Sequence, residues 1–379
     1  MACAGSRAAV VVSDIGKRLD GAKVVICMGA GGVGKTTVSA AIAIGLAAEG
    51  RRVALVTIDP ARRLAETLGL SALGNRPRQV EPHRFSATGA PLRGELWAMM
   101  LDASRTFDEV ISRLAPDPSL RDQILANSVY RNLSTAVAGS QEYGAMAKLF
   151  EIAGDGAYDT IVLDTPPSRN ALDFLDAPGR LSAFLDGRGF ALLALPGRRA
   201  ARAVGALSGA LARVLGVSLL RELASFFALI GGLADGFRDR ARGVSRLLAD
   251  PATAFVLVSS PQRAAAEETL FLAGALADAD MHCRALIINR IHPSFGARRD
   301  PQETVVRLQP KLGARMARKV ARTDAEAQAI AREDTRVVDR LRRSLAGVPA
   351  ACALERDSDV HDIAALVSLA RELFARRRR

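Results

Sequence analysis

Aromatic residues make up only 4% of this 379-residue chain, with one tryptophan and three tyrosines. Proteins that hold single-stranded nucleic acid stack bases on aromatic rings, so the scarcity argues against that role. Cysteine is equally sparse. Cys3, Cys27, Cys283 and Cys352 stand far apart, and no C-x-x-C pair exists. That argues against a zinc site or a redox motif, and a reducing cytoplasm is the compartment it suits. Cys27 and Cys283 lie in apolar runs and read as small core residues. The four histidines show no metal-ligand spacing, and no Ser-His-Asp or Cys-His set can be assembled. His361, in "DVHD", sits among acids and reads as structural. The longest apolar region, "AVGALSGALARVLGVSLLRELASFFALIGGLADGF", is broken by Arg213, Arg221 and Glu222. A membrane span needs about 20 mostly apolar residues, so this reads as a pair of amphipathic helices. The opening "MACAGSRAAVVVSDIGKRL" has only a short apolar run and no cleavage pattern, and no signal peptide is expected.

What is present suits a globular protein: 49% hydrophobic and 24% charged residues. The length fits one large α/β domain with insertions, or two modest domains. The net charge of +12 favours acidic partners: nucleotides, nucleic acid or an anionic membrane surface. The arginines are spread along the chain, which reads as a solvated surface, and nucleic acid is not an expected partner. The run "ARRRR" at 375–379 reads as a frayed tail, with weak membrane or nucleic-acid contact as the alternative.

The stretch "KVVICM" at 23–28 is a short β-rich run. It enters the glycine-rich "GAGGVGKTT", and "KTTVSAAIAIGLAAEG" then reads as a helix stopped at Gly50. "RVALVTID" reads as a second buried strand. Strand, loop, helix, strand is a βαβ unit and implies a parallel sheet. Gly29-x-x-x-x-Gly34-Lys35-Thr36 fits the phosphate-loop pattern. Glycines at 29, 31, 32 and 34 let backbone N–H groups around Val33 turn inward, and with the helix N-terminus they cradle a β-phosphate. Lys35 is expected to reach the β- and γ-phosphates, the Thr36 hydroxyl to hold Mg²⁺, and Thr37 to contact the α-phosphate. The competing reading is a chance match in a Gly- and Ala-rich chain. The strand before the loop and the helix after it argue against chance.

Three strand ends carry further candidates. Asp59, in "TIDPARRLAETLG", faces the same crevice and could position an attacking water; the alternative is an N-cap for the helix that starts at Pro60. Asp164 closes "TIVLD" as a Walker B acid would, delivering a carboxylate toward Mg²⁺. "TPPSRN" after it could be a loop that senses the γ-phosphate, or an ordinary turn. Asn289 closes "ALIIN" and could pair with adenine, or simply make a turn.

Further along, "TAFVLVSS" and "CRALIINRI" read as strands. "ELWAMMLDASRTFDEVISRLA" has helical spacing, 301–346 reads as charged helix, and "VPAACALERDSDVHD" as loop. Two apolar stripes, Val204 to Leu215 and Leu220 to Leu233, read as the buried core of a helical subdomain, with a hydrophobic-client groove as the alternative. The expected organisation is an α/β core at 1–95, helical insertion at 96–155, core at 156–177, helical insertion at 178–250 and core again at 251–379.

"GAGGVGKTT", "TIDPARRLAETLG", "VLDTPPSRNALDFLDAP", "ALIINRI" and "DVHDIAAL", in that order, resemble the ArsA-like family of P-loop ATPases, which includes arsenite-pump ATPases and ATPases that target tail-anchored proteins. The resemblance covers nearly the whole chain. It implies a P-loop NTPase fold, a mostly parallel sheet flanked by helices with an inserted helical subdomain. It also implies ATP and Mg²⁺ as ligands and a nucleotide-sandwich dimer. On it, Asp59 falls on the switch I aspartate, 164–175 on switch II and Asn289 on the adenine-binding asparagine. The regions 96–155 and 178–250 fall where targeting members build a client groove.

The chain departs from the family's pattern in four places. Ala30 stands where members usually carry a lysine that reaches the partner's nucleotide, and alanine supplies no cation to a transferring phosphoryl group. The zinc-binding C-x-x-C is missing, as is a cysteine cluster for arsenite, so arsenite pumping is not expected. Asn170 stands where a histidine is common. Ala30 suggests a heterodimer with a paralogue that keeps the lysine, as in the paired actinobacterial-type members that this chain most resembles. The leading expectation is thus a cytoplasmic ATPase, peripheral at the inner face of the membrane if it serves a membrane partner. The alternatives are a nucleotide-gated partner subunit with little turnover and a partition or positioning ATPase.

Overall fold

The computed structural model describes residues 14–58, 62–70, 73–131, 140–166, 171–187, 217–293 and 300–375. Eight strands run through these residues: β1 Val24–Gly29, β2 Arg52–Thr57, β3 Arg78–Gln79, β4 Glu95–Met100, β5 Thr160–Asp164, β6 Thr253–Ser259, β7 Cys283–Ile291 and β8 Ala350–Leu354. They form one sheet in the order β3-β4-β2-β5-β1-β6-β7-β8. Every pairing is parallel except the short β3 against β4.

β1 lies inside the sheet and all six of its residues are buried. A strand covered on both faces needs no polar alternation, which explains the unbroken "VVICMG". Val25 and Cys27 face one hydrophobic cluster, while Val24, Ile26 and Met28 face the other. The first cluster is closed by the helix Lys35–Ala48 and by Ile363–Phe374, which packs across it. The second is closed by parts of Ser140–Asp155, Ala234–Ala249 and Arg263–Asp278.

A third cluster belongs to a helical body beside the sheet. Val110, Ile111, Tyr130, Phe226, Ile230, Leu233 and Phe237 fill it. Phe107 stacks on Phe237 with ring centroids 6.1 Å apart. The C-terminal part of the stripe ending at Leu233 is therefore core: Ile230 and Leu233 are buried, and Leu223 and Phe227 pack against them. The stripe at Val204–Leu215 lies outside the described residues.

Several local readings are corrected. "ELWAMM" is strand β4, in parallel register with β2 from Arg52↔Glu95 to Thr57↔Met100, and the helix begins only at Ala103. Leu, Ala and Met favour helices, but pairing with β2 and burial override that weak preference. The segment 77–94 contains β3 and the short helix Pro82–Ser86. "AACAL", read as loop, is strand β8 beside β7.

Candidate functional site

β1 ends at Gly29, directly beside Val258 of β6. A Cβ at Gly29 would collide with the Val258 carbonyl oxygen, so only glycine lets the chain leave the sheet here. Gly32 and Gly34 have φ of 77° and 87°, the left-handed region that side chains avoid. Gly31 is exposed in the turn, while Val33 is buried in the core and anchors the loop. Gly34 is also the N-cap of the helix Lys35–Ala48, and no side chain caps that first turn. A helix start of this kind presents its backbone donors to an anion.

Lys35 is 7% exposed, and its ammonium donates to the Gly29 and Ala30 carbonyls at 2.9 and 2.8 Å. Ala30 is itself buried against the first hydrophobic cluster. Thr36 lies one residue on, and its hydroxyl donates to Asp164 Oδ2 at 2.6 Å. Strand register places Asp164 opposite Cys27, two residues before the loop. Thr57, at the end of β2, also donates to Asp164 Oδ2 at 3.2 Å, and Ser39 lies 3.4 Å from Oδ1.

Asp164 is 1% exposed, and burial pushes its pKa up to about 6 against the lowering effect of Thr36, Lys35, Thr57 and Ser39. A desolvated carboxyl beside three hydroxyl oxygens is a hard-oxygen donor set, and it fits Mg²⁺. Among the described residues no cluster of three or more His, Cys, Asp or Glu could hold a metal on its own. Mg²⁺ here would take Thr36 and Asp164 together with phosphate oxygens, as the ion commonly does. Cys27 is inert: burial pushes its thiol up to about 12.

Asn289, at the end of β7, is buried and donates from Nδ2 to the Val33 carbonyl at 2.9 Å. It thus braces the phosphate loop, a contact its strand-end position did not reveal. Thr37, Asn289, Arg290, Glu355, Arg356 and His361 line a cavity of about 790 Å³ that opens beside the loop. That volume falls within the range of small-molecule sites. His361 therefore borders the site, although "DVHD" reads as structural. Thr57, Arg290, Glu355 and Arg356 were not legible as site residues, because only the strand order brings them to the loop; Ser39 sits one turn along the helix from Lys35, on the side that faces Asp164. Asp59 and Asn170 lie outside the described residues.

Residues 22–304 match the family described as anion-transporting ATPase. The chain belongs to that family. It is 30% identical to "ATPase ARSA2" of Chlamydomonas reinhardtii over 272 residues, covering 69% of this chain and 66% of that protein. It is 28% identical to "ATPase GET3A" of Arabidopsis thaliana, covering 71% and 67%. It is 32% identical to the "Arsenical pump-driving ATPase" of Acidiphilium multivorum over 163 residues, 42% of this chain and 26% of that protein. The chain thus spans about two thirds of the length of the first two relatives. No helix among the described residues is long and apolar enough to cross a membrane.

Proposed function

We propose that the chain is a Mg²⁺-dependent ATP-binding and ATP-hydrolysing subunit of an ArsA-like dimer. The observation that carries this is the Lys35–Thr36–Asp164 arrangement at the end of the central strands: a buried ammonium held by the loop's own carbonyls, beside a hydroxyl that donates to a desolvated carboxyl at 2.6 Å. In this reading Lys35 turns from the Gly29 and Ala30 carbonyls to the β- and γ-phosphates. Thr36 and Asp164 would hold Mg²⁺, which would supply charge neutralisation at the phosphates. The cavity beside Asn289 takes the nucleoside, and Asp59 positions the water. ATP turnover then drives a conformational cycle that handles a hydrophobic client or a membrane partner, from the cytoplasmic side.

Ala30 supports a second reading, in which the chain is the weakly hydrolysing half of a heterodimer and a paralogue supplies the missing lysine in trans. Steady-state ATPase measurements with Mg²⁺, beside Lys35→Ala and Asp59→Asn, separate the two. Turnover lost in both variants supports the first. ATP binding without turnover, itself lost in Lys35→Ala, supports the second. No ATP binding at all overturns both.

A further inference from the structure

In a regular strand, neighbouring side chains point to opposite faces, so two consecutive residues do not reach the same loop. Asn289 and Arg290 do. The Asn289 amide donates to the Val33 carbonyl at 2.9 Å, and the Arg290 guanidinium donates to the Gly32 carbonyl at 2.9 Å. The backbone shows how. Arg290 has a φ of 60°, and the register of β7 on β8 shifts between Ile288 and Ile291. The irregularity turns both side chains toward the phosphate loop. A left-handed arginine is sterically costly, and such strain concentrates at functional sites.

A trans peptide is planar, with its C=O and N–H pointing in opposite directions. Holding the Gly32 carbonyl therefore aims the Val33 N–H away from Arg290. Holding the Val33 carbonyl likewise aims the Gly34 N–H away from Asn289. We infer that Arg290, beside Asn289, is a positioning residue that clamps the outer carbonyls of the phosphate loop and so orients the Val33 and Gly34 amides toward the phosphates of a nucleoside di- or triphosphate. The inference rests on the nucleotide reading given above. The ion pair of Arg290 with Glu355, at 4.0 Å and half exposed, adds little. The hydrogen bond to Gly32 is the contact that matters.

The test is calorimetric titration of the full chain with ATP, ADP and adenosine, for the parent and for Arg290→Gly, Arg290→Ala and Arg290→Lys. Glycine suits a φ of 60°, so Arg290→Gly keeps or raises the unfolding temperature while removing the clamp. Arg290→Gly and Arg290→Ala should bind ATP and ADP about tenfold more weakly, the size of one charge-assisted hydrogen bond. Arg290 also lines the cavity, but affinity for adenosine, which has no phosphate, should fall several-fold less than affinity for ATP and ADP does. Arg290→Lys, which keeps a cationic donor, should recover part of the loss. Equal weakening toward adenosine would place Arg290 on the nucleoside instead and overturn the clamp. So would ATP affinity unchanged in all three variants, with the nucleotide reading left standing. A parent chain that binds neither ATP nor ADP overturns that reading and this inference together.

Discussion

The Thr36 hydroxyl stands 2.6 Å from Asp164, although 128 positions separate the two in the chain. β1 and β5 are direct neighbours, and the pairing of Cys27 with Asp164 brings the carboxyl level with the start of the phosphate loop. Two short sequence motifs become one site through that single register.

Asp164 sets a pH dependence of stability. Its pKa rises from 3.8 to about 6 on folding because burial disfavours the charged form. A carboxyl raised in this way contributes stability that is fully present below its unfolded pKa and is lost as pH climbs through the folded one. Asp164→Asn removes the charge, though it also loses an acceptor for the hydroxyls of Thr36, Thr57 and Ser39. Its stability relative to the parent should therefore rise by about 2 kcal/mol between pH 4 and pH 8. Urea unfolding at the two pH values checks this. A relative stability that does not improve from the lower pH to the higher would contradict it.

Mg²⁺ requires the ionised carboxylate. The extra thermal stabilisation that Mg²⁺ adds to ATP should therefore fade in acid, below the metal-free value of about 6 because the cation itself favours the carboxylate, and be abolished by EDTA. Melting curves with ATP alone and with Mg²⁺ and ATP, across that pH range, measure it. Asp164→Asn should show little Mg²⁺ effect at any pH.

Lys35→Ala removes an ammonium that donates to two carbonyls of its own loop. ATP affinity should fall at least about tenfold, since hydrogen bonds to charged groups contribute about 1.5–3 kcal/mol. Calorimetry reads the affinity, and the far-ultraviolet circular dichroism should match the parent's. Unchanged affinity would remove Lys35 from the phosphate site.

Gly29→Ala should destabilise the fold rather than weaken binding selectively. The added methyl meets the Val258 carbonyl oxygen, a backbone atom of the neighbouring strand that cannot rotate away. Overpacking costs about 1–3 kcal/mol, and a backbone neighbour that cannot yield puts this case at the upper end. A lowered unfolding temperature with and without nucleotide would show it.

The sequence displayed the site's chemistry better than its surroundings. "GAGGVGKTT" and "TIVLD" carry their own context, because a buried strand leading into glycines or into a carboxyl is local information. β4 was hidden: "ELWAMM" is built from helix-favouring residues, and its partner β2 lies more than 40 positions upstream. β8 is a five-residue segment whose identity comes from lying beside β7. Arg290 was invisible for a related reason. The backbone irregularity that turns it toward Gly32 is a property of the β7–β8 pairing, not of the letters "NRI".

The helix that begins with Lys35 and Thr36 is synthesised long before the elements that hold it in place. A Cβ at Gly45 on that helix would run into the ring of Phe374, so the two helices are in close contact. Asn289, which braces the loop, follows Val33 by 256 positions. A nascent chain that has made the phosphate motif therefore still lacks the elements that hold it in shape. The site matures only once β6, β7 and the helix Ile363–Phe374 have joined it, and nucleotide can act as a folding aid only from then on.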